Sequence, residues 1–439
     1  IWRSFGGGAR KDVWAAAAAL FAPVAALLLE LFWQPGLVVG AYPWALHVAA
    51  LAALMAVAAE RFARADGADR RRAAYAALSC LSLLALALFL VLTKGALTVA
   101  LAVLVVVAAL LDRRFRLPEM GWYIQAGVMV IGYRLTIDPG LDWGFDAPLV
   151  EVALSFLAAI AGLAATLRVL RGLDRKGAQV FAESGLAAAS ALFVNLLLMR
   201  WIDSSFGGDA PVSHWSLALN ALPWIVVMAV QLYRESLGGW MVWVRRGIAG
   251  VAGLIGIGGL LVAAGPANPL FGLLGRSGWV RGLLVADTLM VAYLLPGLLL
   301  LALSLRLPHL PRLLRLGFAA LGAAFAALYV GLEIRRFWQG DDLSVYGVSQ
   351  PELYSYTVAM LVVGAGLLYQ AIARRSSVLR RIAMGVIALT IAKVFLIDAS
   401  GLSGLTRVFS FLALGLSLAA LAWLNRWAAA RLDEPPKPD

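Results

Sequence analysis

The chain has 439 residues, of which 62% are hydrophobic and only 14% charged, and its mean hydropathy is +0.86. Soluble domains carry charge on about a quarter of their residues, so this balance excludes a soluble multidomain fold. A net charge of +12 would suggest nucleic acid in a soluble protein. Here the cations crowd into short segments between apolar runs, so no nucleic-acid partner is expected.

The first residues, Ile1 to Asp12, hold Arg3, Arg10 and Lys11 and then give way to a full-length apolar run from Trp14. With no initiating Met, the sequence is expected to be a piece of a longer chain. Apolar runs of about 20 residues, the length a helix needs to cross ~30 Å of hydrocarbon, then follow one another. Fourteen candidate spans emerge: 13–33, 41–60, 73–92, 95–111, 119–135, 149–170, 178–199, 212–233, 247–264, 283–305, 313–333, 354–373, 379–397 and 404–425. The span at 119–135 is only moderately apolar. The one at 247–264 is short and rich in glycine, which suggests close helix packing. Pro23, Pro223 and Pro296 lie inside spans, where each frees a backbone carbonyl. The predicted fold is therefore all-α: 1–439 form a single polytopic transmembrane helix bundle.

Starting inside and alternating, the inner segments hold 28 of the 37 Lys and Arg. Cytoplasmic loops collect cations, so this asymmetry predicts both termini in the cytoplasm. Segments such as ERFARADGADRRR (60–72) and LDRRFRLPE (111–119) then read as stop-transfer loops and headgroup anchors. Tryptophans near both ends of the spans repeat the two-belt pattern of interfacial aromatics. The outer loops, the longest near 134–148, 200–211, 265–282 and 334–353, are too short to fold as independent domains. Segments 71–114 and 380–427 share a rhythm of basic start, oily run, outer Lys and oily run, a weak repeat signal.

Motifs for soluble chemistry are absent: no phosphate-binding loop, no HExxH and no GxSxG occurs. The single Cys80 and the scattered His47, His214 and His309 offer no metal spacing. No catalytic residue, metal or cofactor is therefore assigned. The informative residues are ionisable groups at or within spans, a functional signal by default: Glu30, Lys94, Arg134, Asp287, Glu333, Lys393 and Asp398. They concentrate near the predicted outer ends. The densest cluster is LEIRRFWQGDDLSVYGVSQPELYSY (332–356), to which Lys393, Asp398 and Arg407 return two helices later. The candidate ligand site is Glu333, Arg335, Arg336, Glu352, Tyr354, Lys393, Asp398 and Arg407. Arg forks suit planar carboxylates and phosphates, so an anionic lipid or glycan group is the expected ligand. A salt-bridge lattice tying helix ends together is the alternative. Lys393 and Asp398 stand five residues apart, about 140° round an α-helix, and are expected not to pair with each other.

The same region carries a family resemblance. Glu333–Arg336 with Phe337 and Gly340, Glu352-Leu-Tyr354-Ser-Tyr356, Lys393-Val-Phe395-Leu396 with Asp398, and Gly404-Leu405 with Arg407 and Ser410-Phe411 resemble the bacterial family catalogued as domain of unknown function 2339. The resemblance is placed on 312–427. It implies a multi-pass protein of the bacterial inner membrane with further spans and a cytoplasmic N-terminal coiled-coil region. It transfers no activity. Three functions follow as expectations: a transport or lipid- or glycan-export component, a structural subunit of a larger inner-membrane complex, and a membrane-embedded transferase using a lipid-linked substrate. The partners expected are membrane lipids, the anionic ones included, and other proteins of that complex.

Overall fold

A computed structural model describes residues 10–67, 69–208, 210–235 and 242–398, with isolated positions between 408 and 427. Arg407, Gly404–Leu405, Ser410–Phe411 and more than half of the last predicted span lie outside the described residues. The described residues form helices joined by turns and loops, with no strand beyond one isolated bridge between Gly282 and Asp287. Ten of their helices are long and apolar enough to cross a membrane. The chain divides into two compact units, 1–207 with 220–259, and 208–219 with 260–439.

The first unit contains α1 (Lys11–Trp33), α2 (Pro35–Val39), α3 (Ala41–Asp66), α4 (Arg71–Val91), α5 (Lys94–Phe115), α6 (Met120–Thr136), α7 (Gly140–Asp146), α8 (Leu149–Leu170) and α9 (Lys176–Phe206). It also takes most of α10 (His214–Glu235) and α11 (Val242–Ala264). Helix α3 packs along α4, α5 lies against α8, and α6 is held between α5 and α9. Lipid is as apolar as leucine, so helices in it associate through close packing rather than hydrophobic burial. Small residues provide that approach: Ala102, Ala108, Ala109, Ala159 and Ala182 are all in the core, and a Cβ on Gly162 would stand 3.1 Å from that of Ala102. The glycines of α11 behave in part as the sequence suggests. A Cβ on Gly256 would meet the Ile225 backbone nitrogen of α10 at 3.1 Å, whereas Gly250 and Gly258 face open space.

The moderately apolar run at 119–135 becomes α6, and its composition now has a cause. Met120, Ile124 and Ile131 are almost fully buried against neighbouring helices. A helix wrapped in protein has less need of an oily surface than one facing lipid. Conversely, the large apolar side chains that stay exposed, such as Phe21, Leu46, Val103, Leu154 and Leu254, line the outer faces of long helices. Such faces in a soluble protein would drive association.

Two cations of the basic loops turn inward. Arg72 forks onto Asp66 and lies 4.9 Å over the Phe62 ring. Arg175 bonds the fully buried Asp112 through Nε at 2.7 Å and Nη2 at 2.9 Å, tying the entry of α9 to the end of α5.

The second unit contains a π-helical turn (Met290–Leu294) running into α12 (Leu295–Arg306), then α13 (Arg312–Gln339), α14 (Gln350–Ala373), α15 (Ser377–Lys393) and a second π-turn (Val394–Asp398). Helices α12 and α13 form one antiparallel pair and α14 and α15 another. At the first crossing Gly297 and Gly322 lie backbone to backbone: a Cβ on either would approach the other's carbonyl oxygen to within 2.9 Å. Tyr293 is fully buried, donates to the Ala263 carbonyl at 2.9 Å and stacks on His214. Pro296 lies inside the helical run 288–306, where the π-turn gives way to α12, so the carbonyl that its missing N–H leaves open belongs to the π-turn.

The run 283–305 was expected to be one span. Residues 283–286 instead form a loop, with Val285 at φ +71°. The apolar Leu283-Leu284-Val285 is drawn out of the helix because side chains of α13 capture its backbone, as described next.

Candidate functional site

The polar residues singled out by sequence gather at one end of the second unit, around the C-terminus of α13, the N-terminus of α14 and the C-terminus of α15. The geometry begins with α13. Arg335 and Arg336 are adjacent in sequence and so leave the helix in different directions, about 100° apart.

Arg335 organises the loop between α13 and α14. Its Nε donates to the Leu343 carbonyl at 2.7 Å, Nη2 to that of Val345, and Nη1 to that of Gly347 at 3.2 Å and to Glu352 Oε1 at 3.1 Å. Glu352 is fully buried. Its oxygens also accept from Tyr356 at 2.9 Å, from Gln339 at 2.8 Å and from the Ser349 N–H at 3.4 Å. Ser349 returns the last of these by accepting from the Glu352 N–H, a reciprocal capping box that starts α14. One carboxylate therefore caps a helix, neutralises an arginine and anchors a ten-residue loop (340–349).

Arg336 faces the other way, onto the loop before the first π-turn. All five of its donors are used: Nε and Nη2 on Asp341 Oδ1 at 3.3 and 3.0 Å, Nη1 on Asp287 Oδ2 at 2.7 Å and the Leu283 carbonyl at 3.1 Å, and Nη2 also on the Gly282 carbonyl at 2.7 Å. Asp287 Oδ1 in turn accepts the Met290 N–H at 2.8 Å and so caps the helical run that begins at Thr288, five residues after the expected start. Tyr329 donates to the Val285 carbonyl at 2.9 Å, and the Val285 N–H donates to Glu333 Oε1 at 2.6 Å. These bonds hold 282–287 as a loop, and they are the physical reason that the predicted span is shortened. Glu333 keeps its second oxygen, Oε2, buried and without a partner.

Lys393 and Asp398 do pair, at 2.7 Å, contrary to the helical-wheel expectation. The chain leaves the α-helical geometry after Lys393 and enters a π-turn. Bonds there run from i to i+5, which stacks residues five apart on one face. Lys393 spends its other two donors on α14, on Thr357 Oγ1 at 2.7 Å and the Leu353 carbonyl at 2.9 Å, and Thr357 donates to Asp398 Oδ2 at 2.6 Å. A wheel drawn for 3.6 residues per turn has no access to this arrangement.

Of the candidate residues, Glu333, Arg335, Arg336, Glu352, Lys393 and Asp398 are thus brought to one rim, in three separate bonded groups. Tyr354 is half exposed, and the tyrosine that reaches Glu352 is Tyr356. Asp287, Asp341, Gln339 and Thr357 complete the lattice and were not among the candidates. Asp287 carried a readable signal, a carboxylate inside an apolar run. Thr357 and Gln339 carried none, because neutral side chains of this kind are common in membrane helices. Among the described residues no group of three His, Cys, Asp or Glu is placed to hold a metal ion.

A sequence model of the family DUF2339, described as a predicted membrane protein, matches residues 3–427. The resemblance placed on 312–427 therefore extends over nearly the whole chain. No curated protein and no solved structure matches it.

Proposed function

The chain belongs to the DUF2339 family of predicted membrane proteins, and from that premise we propose that it is a non-catalytic structural component of a larger assembly in the bacterial inner membrane. It crosses that membrane fourteen times with both termini in the cytoplasm, a reading supported by the distribution of Lys and Arg. The polar rim of the second unit then faces outward and locks the ends of its helices. One observation carries this reading: Arg335, Arg336 and Lys393 are each neutralised by a carboxylate of the same chain, the donors of Arg336 and Lys393 are all taken by Asp287, Asp341, Asp398, Thr357 and backbone carbonyls, and four of the five of Arg335 by Glu352 and loop carbonyls. An anionic ligand at Arg335 would find a single Nη2 N–H open, and a two-pronged contact would have to displace a loop carbonyl or the Glu352 carboxylate.

A second reading is favoured by a specific feature. Both π-turns stand beside a buried ion pair, and π-bulges recur at functional sites. Glu333 also keeps a free buried oxygen beside one of those pairs. On this reading the lattice is the closed state of an outward site for an anionic lipid or glycan group in a transport or export component.

Neutralising the Lys393–Asp398 pair separates the two. Lys393→Met alone strands a buried carboxylate and is expected to cost about 3–5 kcal/mol, read as a loss of folded protein in membranes. Lys393→Met with Asp398→Leu should restore protein to near the wild-type level. If the role is structural, the doubly neutral protein also complements the envelope defect of a deletion strain. Restored protein without complementation would overturn the structural reading in favour of transport.

A further inference from the structure

The first unit holds a polar site of its own, built from residues that take no part in the rim of the second unit. A cavity of about 500 Å³ opens where the C-terminus of α8, the start of α9 and the end of α10 meet. This is the end that the cation distribution assigns to the cytoplasm. Its polar lining comes from Arg171, Gln179, Glu183, Gln231 and Arg234.

Glu183 is the anchor. One oxygen pairs with Arg234 and the other accepts from Arg245 at 3.1 Å. One carboxylate thus faces two guanidinium groups, and Arg171 adds a third at the mouth, exposed and without a partner among the described residues. The local balance is two positive charges in excess. Two buried groups remain unsatisfied. Arg245, buried in the unit, has Nη1 without a partner, and Gln231, 1% exposed on the cavity wall, has Oε1 without one. The Gln231 amide meets the Ser184 hydroxyl at 3.2 Å. A hydroxyl donates as readily as it accepts, so the amide is free to turn either its oxygen or its N–H₂ toward the cavity. Buried polar atoms left open in a roomy polar cavity are what a ligand with matching groups completes.

We propose that this cavity binds a phosphoester carried on an organic body, with the phosphate between Arg171 and Arg234 and a hydroxyl or ester oxygen at Gln231. Arginine forks fit phosphate oxygens two at a time, which suits this charge excess better than a single carboxylate would. The volume lies in the range of small-molecule sites and far exceeds the space a bare oxyanion fills. The remaining wall is apolar, from Leu167, Leu186 and Val230. It would pack the carbon portion of the ligand. The same chemistry is offered by the headgroup of an anionic phospholipid and by a soluble phosphorylated metabolite.

The test uses the purified full chain in a neutral detergent, with thermal stability and native mass spectrometry as readouts. Phosphatidylglycerol, phosphatidylcholine, glycerol 3-phosphate and inorganic phosphate are each added alone. Stabilisation and a retained adduct with phosphatidylglycerol but not phosphatidylcholine support a lipid headgroup. The same with glycerol 3-phosphate supports a soluble phosphoester. In either case Arg171→Gln, which removes an exposed cation that has no partner among the described residues, should fold normally and weaken binding about tenfold. Gln231→Leu should weaken it comparably. The proposal is overturned if neither phosphoester binds, if inorganic phosphate binds as tightly as glycerol 3-phosphate, or if neither substitution changes the affinity.

Discussion

Glu352→Ala is expected to be among the most damaging single changes in the second unit. The substitution removes the acceptor of three side-chain donors, Arg335, Gln339 and Tyr356, and half of the capping box that starts α14. Arg335 is left as a largely buried cation with only carbonyls around it. Breaking a buried pair by removing one partner costs about 3–5 kcal/mol, and the lost cap adds about 1 kcal/mol. The measurement is thermal unfolding of the purified variant beside Tyr354→Ala. That residue is two positions away and half exposed, and its loss should move stability by less than about 0.5 kcal/mol. Because the Glu352 carboxylate is fully buried, raising the salt concentration should change neither result much. Equal unfolding temperatures for Glu352→Ala and the wild type would remove the lattice as the element that holds this rim together.

The second large effect is steric. Gly322→Leu should prevent α12 and α13 from reaching their crossing distance, since a Cβ at that position already stands 2.7 Å from the Gly297 carbonyl oxygen and 2.9 Å from the Leu301 nitrogen. Both obstacles are backbone, so no rotamer change relieves the clash, and overpacking of this kind costs about 3 kcal/mol or more. Gly331 lies on the same helix with nothing within 4 Å. Gly331→Ala should be neutral or stabilising, by up to about 1 kcal/mol from helix propensity alone. Yield and unfolding temperature of the two variants, measured side by side, check the claim. Comparable losses in both would show that the crossing is not set by these glycines.

These effects bear on what kind of site the rim is. A site built to take an anion leaves donors open toward it. Arg336 has all five committed, and Lys393 all three. The cavity of the first unit differs in that respect: among the described residues Arg171 has no partner, and the Gln231 amide has one end open.

How much of this was readable beforehand differs from feature to feature. The helical membrane class follows from composition and from apolar runs of span length, because a chain in hydrocarbon has to satisfy its backbone within helices. The clustering of Arg335, Arg336, Glu352, Lys393 and Asp398 at one rim was legible as well. Alternating spans return every second loop to the same side, whatever the packing. Local polarity also exposed Glu333 and Asp287 as carboxylates out of place in apolar runs. The pairing itself was not legible. Arg336 chooses Asp287, 49 residues away, and Lys393 reaches Asp398 only because the helix switches to π geometry. The apolar stretch 283–286 reads as helix until the α13 side chains that capture its carbonyls and N–H groups are in place. The modest hydropathy of α6 is likewise explained only by the helices around it. Periodicity and charge report what each segment requires of its solvent. Which partner supplies it depends on distances between segments far apart in the chain, and those exist only once the helices have packed.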